Sequence, residues 1–215
     1  MELTKEQIQK INLYLDSKNL YEVDIRLEVL DHITTAIETK MEVENVDFHY
    51  AFAETRQQWN PNFKETTSMF FGLGFSAPKM VVKKAKSIFW KHYILLLTSY
   101  FIPFLLLTHF NFKVENPAEY SFFLVLKVTV GFALLAFFYM LFFRNNKVKT
   151  TYGFILKSQS LGVLTGLLVF VLIMNRANEL NEMDLSMVCF YLMITASYFT
   201  FFRKHQKAIQ KYKVG

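Results

Sequence analysis

The sequence predicts an all-α fold: a cytoplasmic three-helix domain followed by a four-helix transmembrane bundle. Three observations predict it. Four stretches in the second half are each about 20 mainly apolar residues long, the length a helix needs to cross a bilayer core. Residues 1–60 carry 12 Asp/Glu against 6 Lys/Arg, whereas residues 61–215 carry 18 Lys/Arg against 6 Asp/Glu. Such a split between halves points to two environments. The first 60 residues also carry helix-start signals and apolar residues at helical spacing.

The acidic domain is expected over residues 1–60. Thr4-Lys5-Glu6-Gln7 reads as a capping box, with Thr4 as N-cap and Gln7 reaching back. Ile8, Ile11 and Leu15 follow at helical spacing, and the run Asp16–Asn19 ends the first helix. In the second helix Val23, Leu27, Leu30, Thr34, Ile37 and Met41 alternate steps of four and three, an a/d seam. That seam serves an intramolecular bundle or a dimer; the matching faces of the first and third helices favour the bundle. Asp47 caps a third helix with apolar positions Phe48, Ala51, Phe52, Thr55 and Trp59. Asn60-Pro61 stops it, because a residue before proline disfavours the helical region. A domain this small buries about 60% of its chain surface and is marginal alone, so a partner, a second copy or the membrane is expected to support it.

Residues 61–92 read as an interfacial linker. Phe70, Phe71, Leu73 and Phe75 lie beside Gly72 and Gly74 and suit a membrane surface; the glycines lack the GK[ST] of a phosphate loop. Pro78 opens a basic amphipathic helix. There Val81, Val82, Ala85, Ile88 and Phe89 oppose Lys79, Lys83, Lys84 and Lys86, four lysines expected to bind anionic lipid.

The spans are expected at residues 93–110, 120–143, 152–174 and 185–202, within 93–203, with a basic tail over 204–215. The segments preceding the first span, joining the second to the third, and following the fourth hold 14 Lys/Arg. The other two loops hold only Lys113 and Arg176. The positive-inside rule therefore places both termini in the cytoplasm. Trp90, Tyr93, Tyr120 and Tyr152 occupy aromatic-belt positions. Pro103 interrupts the first span and suggests a packing kink. Lys127 and His109 are the intramembrane polar candidates; Lys127 can snorkel outward and pair with Glu115 or Glu119. Ser158, Gly162 and Gly166 form a small-xxx-small row in the third span, suited to packing within the bundle or between two copies.

In the second helix Glu28 and His32 are i, i+4 neighbours, and Asp24, Glu28 and Asp31 form an acidic stripe away from the seam. Carboxylates beside a histidine can bind a metal. Here only Glu28, His32 and at most His49 would converge, with no HExxH motif, so no metal and no catalytic site is expected. A solvated, partner-docking face formed by Asp24, Glu28, Asp31 and His32 is the reading instead.

The arrangement of residues 5–59 resembles a small helical signalling domain of bacterial membrane proteins called HAAS. The features that carry the likeness are a first helix ending in Tyr14-Leu15, a helix written E-x-x-D-H-I-x-x-x-I-E (Glu28, Asp31, His32, Ile33, Ile37, Glu38), and a third with Ala51-Phe52 and a terminal Trp59. The Asp31-His32-Ile33 form is similar to integral membrane proteins of Bacteroidetes-type bacteria. The resemblance covers about a quarter of the chain. It implies a signalling domain ahead of several membrane helices, a transcription regulator as a partner class, and no catalytic residues.

Other classes find little support. The single cysteine, Cys189, allows no intramolecular disulfide. The opening MELTKEQIQK has no apolar h-region, so no cleavable signal peptide is expected. The net charge of +6 is spent where a membrane protein needs it and does not indicate nucleic-acid binding. The expectation is a non-enzymatic regulatory or signalling protein of a bacterial inner membrane, without cofactor, that docks a cytoplasmic or membrane protein partner or a second copy. The second reading is an accessory or permease subunit of a transporter complex.

Overall fold

A computed structural model of the chain describes residues 2–111, 118–176 and 181–212, with side chains described for all of these except 118–120 and 173–176. Lys113 and Glu115, and the side chains of Glu119, Tyr120 and Arg176, lie outside the described residues. The fold is all-α with one small hairpin. Three short helices, α1 (Lys5–Ser17), α2 (Val23–Glu44) and α3 (Phe48–Trp59), precede a two-stranded sheet of β1 (Glu65–Ser68) and β2 (Gly72–Pro78). Four long helices follow: α4 (Lys79–His109), α5 (Ala118–Phe142), α6 (Thr151–Arg176) and α7 (Glu182–Tyr212). All four are long and apolar enough to cross a membrane.

The chain divides into two compact units. The first comprises Met1–Lys86, Asn146–Phe154 and Lys207–Gly215; the second comprises Ser87–Asn145 and Ile155–Gln206.

In the first unit the predicted helix starts are present. Thr4 accepts from the Gln7 amide and Gln7 reaches back to the Thr4 amide, closing the capping box. Asp47 accepts from the Tyr50 amide at the start of α3. The buried face of α2 differs from the expected seam. Ile25, Val29, Ile33 and Ile37 are buried, whereas Leu27 is 48% exposed. Both faces carry aliphatic residues, so periodicity alone could not choose between them; packing between α1 and α3 did. Arg26 then closes the α1–α2 turn. Its guanidinium donates to Asp16 Oδ1 at 2.6 Å, to the Leu20 carbonyl at 3.0 Å and to the Asn12 carbonyl and side chain at 3.1 Å.

Part of the segment read as an interfacial linker is regular structure. Residues 65–78 form an antiparallel hairpin in which Thr66 pairs with Ala77 and Thr67 with Ser76. Gly72 takes φ +83° at the turn, a conformation that costs glycine little and other residues more. Phe71, expected at a membrane surface, is 1% exposed and meets Phe154 edge-on at 5.2 Å between ring centroids. Of the hairpin's large apolar side chains, Met69 and Leu73 are strongly exposed. The amphipathic helix expected after Pro78 runs on without interruption into the first apolar stretch as a single helix, α4.

The second unit is a four-helix bundle. Val130 of α5, Phe170 of α6 and Leu185 and Val188 of α7 form a buried cluster, against which Leu107 of α4 packs. Only 6% of the apolar window of α4 is buried within the protein. An outer apolar face of this extent requires an apolar environment. The basic tail expected over 204–215 is helical to Tyr212, as part of α7. His205 is 1% exposed, and its Nε2 lies 2.9 Å from the Asn145 carbonyl; Gln206 donates to the Phe143 carbonyl at 3.2 Å. Carbonyls just beyond the end of α5 thereby gain partners on α7.

Candidate functional site

The predicted acidic stripe on α2 separates into two parts. Asp24 and Glu28 are engaged within the chain, while Asp31 and His32 are exposed. Asp24 Oδ1 accepts from the Thr151 amide at 2.9 Å, across 127 residues of sequence. Thr151 is the first residue of α6, so its amide has no intrahelical acceptor. Thr150 supplies the ordinary cap two residues further on, its hydroxyl accepting from the Gly153 amide at 2.9 Å. A carboxylate at this position also complements the positive end of the α6 dipole. Beside it the Val23 amide donates to the Lys149 carbonyl at 3.0 Å, and the Lys149 ammonium lies 4.4 Å from the centre of the Tyr21 ring. The start of α2 thus grips the start of α6.

Glu28 accepts from Lys84 Nζ at 2.6 Å, tying α2 to the first turns of α4. The lysine hydrogen bond, and then its charge, hold the Glu28 carboxyl below the usual carboxylate range. A depressed acid contributes stability above its unfolded pKa, and that contribution is lost as pH falls through the lowered value. The pair is largely exposed and therefore weak and salt-sensitive. Of the other lysines expected at a membrane surface, Lys79 and Lys83 are exposed, and Lys86 lies 5.0 Å from the centre of the Phe70 ring.

Glu22, just before α2, was not anticipated as a site. It is 7% exposed, and its Oε2 finds no hydrogen-bond partner among the described residues. Burial pushes its carboxyl pKa up; backbone amides and the Lys149 charge oppose this, and Asp24 adds to it. The sign is opposite to that of Glu28. A raised acid binds more protons folded than unfolded, so its contribution is full below the unfolded pKa and lost as pH rises through the raised value. Glu22→Gln is therefore expected to flatten the pH dependence of stability between the ordinary carboxyl range and neutrality. Urea titrations of the full chain at a series of pH values check this; an unchanged slope would refute it.

Among the described residues, no group of three or more His, Cys, Asp or Glu side chains could hold a metal ion.

In the second unit, Lys127 and His109 are both exposed on their helices. Ser158, Gly162 and Gly166 have different surroundings. Ser158 is buried and donates to the Ile155 carbonyl at 2.9 Å within its own helix. A β-carbon on Gly166 would stand 2.4 Å from Cε1 of Tyr191, so this glycine is the close-approach point of α6 and α7. A β-carbon on Gly162 would meet nothing within 4 Å. Gly162 instead forms part of a groove of about 420 Å³. Tyr93 and Leu96 of α4, Gly162 and Gly166 of α6, and Tyr191 and Phe201 of α7 shape its walls.

The chain matches no protein-family model, no curated protein and no solved structure. Its function must be read from its own geometry.

Proposed function

We propose that the protein is a non-enzymatic regulatory or signalling protein of a bacterial inner membrane, with both termini in the cytoplasm. Its helical domain docks a cytoplasmic or membrane protein partner, with a transcription regulator as the class that the HAAS resemblance implies. The observation that carries this reading is the composition of the first unit. That unit joins α1–α3 and the hairpin to the first turns of α4 and α6 and the last turn of α7. The bond from the Thr151 amide to Asp24 and the pair of Glu28 with Lys84 fasten these pieces. A load placed on the helical domain is then a load on the ends of three long apolar helices. The 14-to-2 distribution of Lys/Arg across the connecting segments supports the orientation.

The docking face is narrower than the sequence suggested. Asp31 and His32, with the exposed Leu27 on the turn before them, are among the α2 residues exposed to a partner. One apolar residue beside a charged and a titratable one suits a modest, polar interface. A photocrosslinking residue at Asp31 of the full chain, expressed in cells, should yield a discrete protein adduct. Leu27→Ala with His32→Ala should abolish it. The reading fails if no specific adduct forms and deletion of residues 1–60 changes no phenotype.

A further inference from the structure

We infer that the groove between α4, α6 and α7 binds one acyl chain of an anionic phospholipid, with the headgroup held where Phe201 lies against His92, one turn from Lys204. The inference does not depend on the regulatory reading; it uses only the chain's suitability for a bilayer.

The walls of the groove are mainly apolar and aromatic, with Leu96, Val163, Val169, Phe190 and Ile194 among them, beside the polar Gln159, Thr165 and Ser197. At one end Phe201 lies against His92, their ring centroids 4.4 Å apart. Lys204, one helical turn beyond Phe201, is within electrostatic reach of the same His92. Trp90 stacks on Tyr93 at that end at 5.9 Å, the arrangement expected at headgroup depth. An apolar slot with a cationic, aromatic end complements an amphiphile whose head is anionic. A lysine at such a surface favours an anionic lipid.

The groove offers about 420 Å³, which accommodates a flexible hydrocarbon chain and lies in the usual range for small-molecule sites. Gly162 makes the room. It is open on the groove side, while Gly166, one turn on, is closed by Tyr191.

The test uses the full chain, reconstituted in phosphatidylcholine vesicles containing phosphatidylglycerol, then extracted in mild detergent and weighed by native mass spectrometry. Wild type should retain one phosphatidylglycerol per chain. Gly162→Leu, whose side chain enters the groove, should retain about tenfold less. Thr165→Leu, on the same wall, serves as a second groove-filling variant if Gly162→Leu does not fold. Lys204→Gln should keep the lipid but reduce its preference for phosphatidylglycerol over phosphatidylcholine about fivefold, the effect expected of one lysine. The inference is overturned if wild type retains no lipid. It is also overturned if the folded groove-filling variant retains as much as wild type, if Lys204→Gln leaves the preference intact, or if the groove-filling variants lose a dimer instead of a lipid.

Discussion

Phe71→Ala should destabilise the first unit by about 3–5 kcal/mol, the usual cost of deleting a buried phenyl ring. Phe71 is 1% exposed and packs edge-on against Phe154. It is the residue through which the hairpin is anchored to the first turn of α6. Its removal leaves a cavity that cannot close easily, because Phe154 is fixed by the helix start held at Asp24 and Thr150. Pulse proteolysis of the full chain in detergent, with urea as denaturant, measures the loss. Leu73→Ala is the matched control, since Leu73 is 77% exposed; surface substitutions of this kind usually stay within about 0.5 kcal/mol. Equal, small effects at both positions would mean that the hairpin is not docked.

The second large effect is expected at the α6–α7 crossing. Gly166→Ala places a methyl 2.4 Å from Cε1 and 3.1 Å from Cδ1 of Tyr191. The ring also packs against Phe170 and Phe190, at 5.7 and 5.6 Å between centroids, so it cannot swing away without breaking those contacts. Overpacking of this kind costs about 1–3 kcal/mol. Gly162→Ala, four residues earlier on the same helix, should be neutral or slightly stabilising. Its β-carbon enters open space, and alanine is the better helix former. Thermal unfolding of the two alanine variants separates them. A double substitution, Gly166→Ala with Tyr191→Leu, should recover part of the loss, because neighbouring residues are expected to couple. A cycle without coupling would show that Tyr191 is not what Gly166 makes room for.

Much of the fold was legible because its determinants are local. The capping box at Thr4 and Gln7, the Asp47 cap and the four apolar runs each lie within one stretch of sequence. What was not legible was set by distant contacts. The choice between Leu27 and Ile25 as core residues on α2 turned on which neighbours packed there. The hairpin carried a faint local signal, the β-branched pair Thr66-Thr67 opposite a strand with alternating Leu73, Phe75 and Ala77. Its glycines read more readily as flexibility than as a turn. At the candidate site the sequence identified the carboxylates but not their uses. Asp24 and Thr151 lie 127 residues apart, and nothing near either residue announces the other. Glu22 resembles any other charge preceding a helix until its burial is known. The small-residue row reads as one motif, yet only three-dimensional neighbours distinguish the closed Gly166 from the open Gly162.

The lengths of α4 and α7 carry one more consequence. Each has 31 residues, and at 1.5 Å per residue each is about 46 Å long. The hydrocarbon core of a bilayer is about 30 Å thick. A rod that overshoots its slab settles mismatch by tilting. α4 carries Pro103 within it, and the surplus length of α7 ends on Ala208 and Ile209, which are buried within the protein.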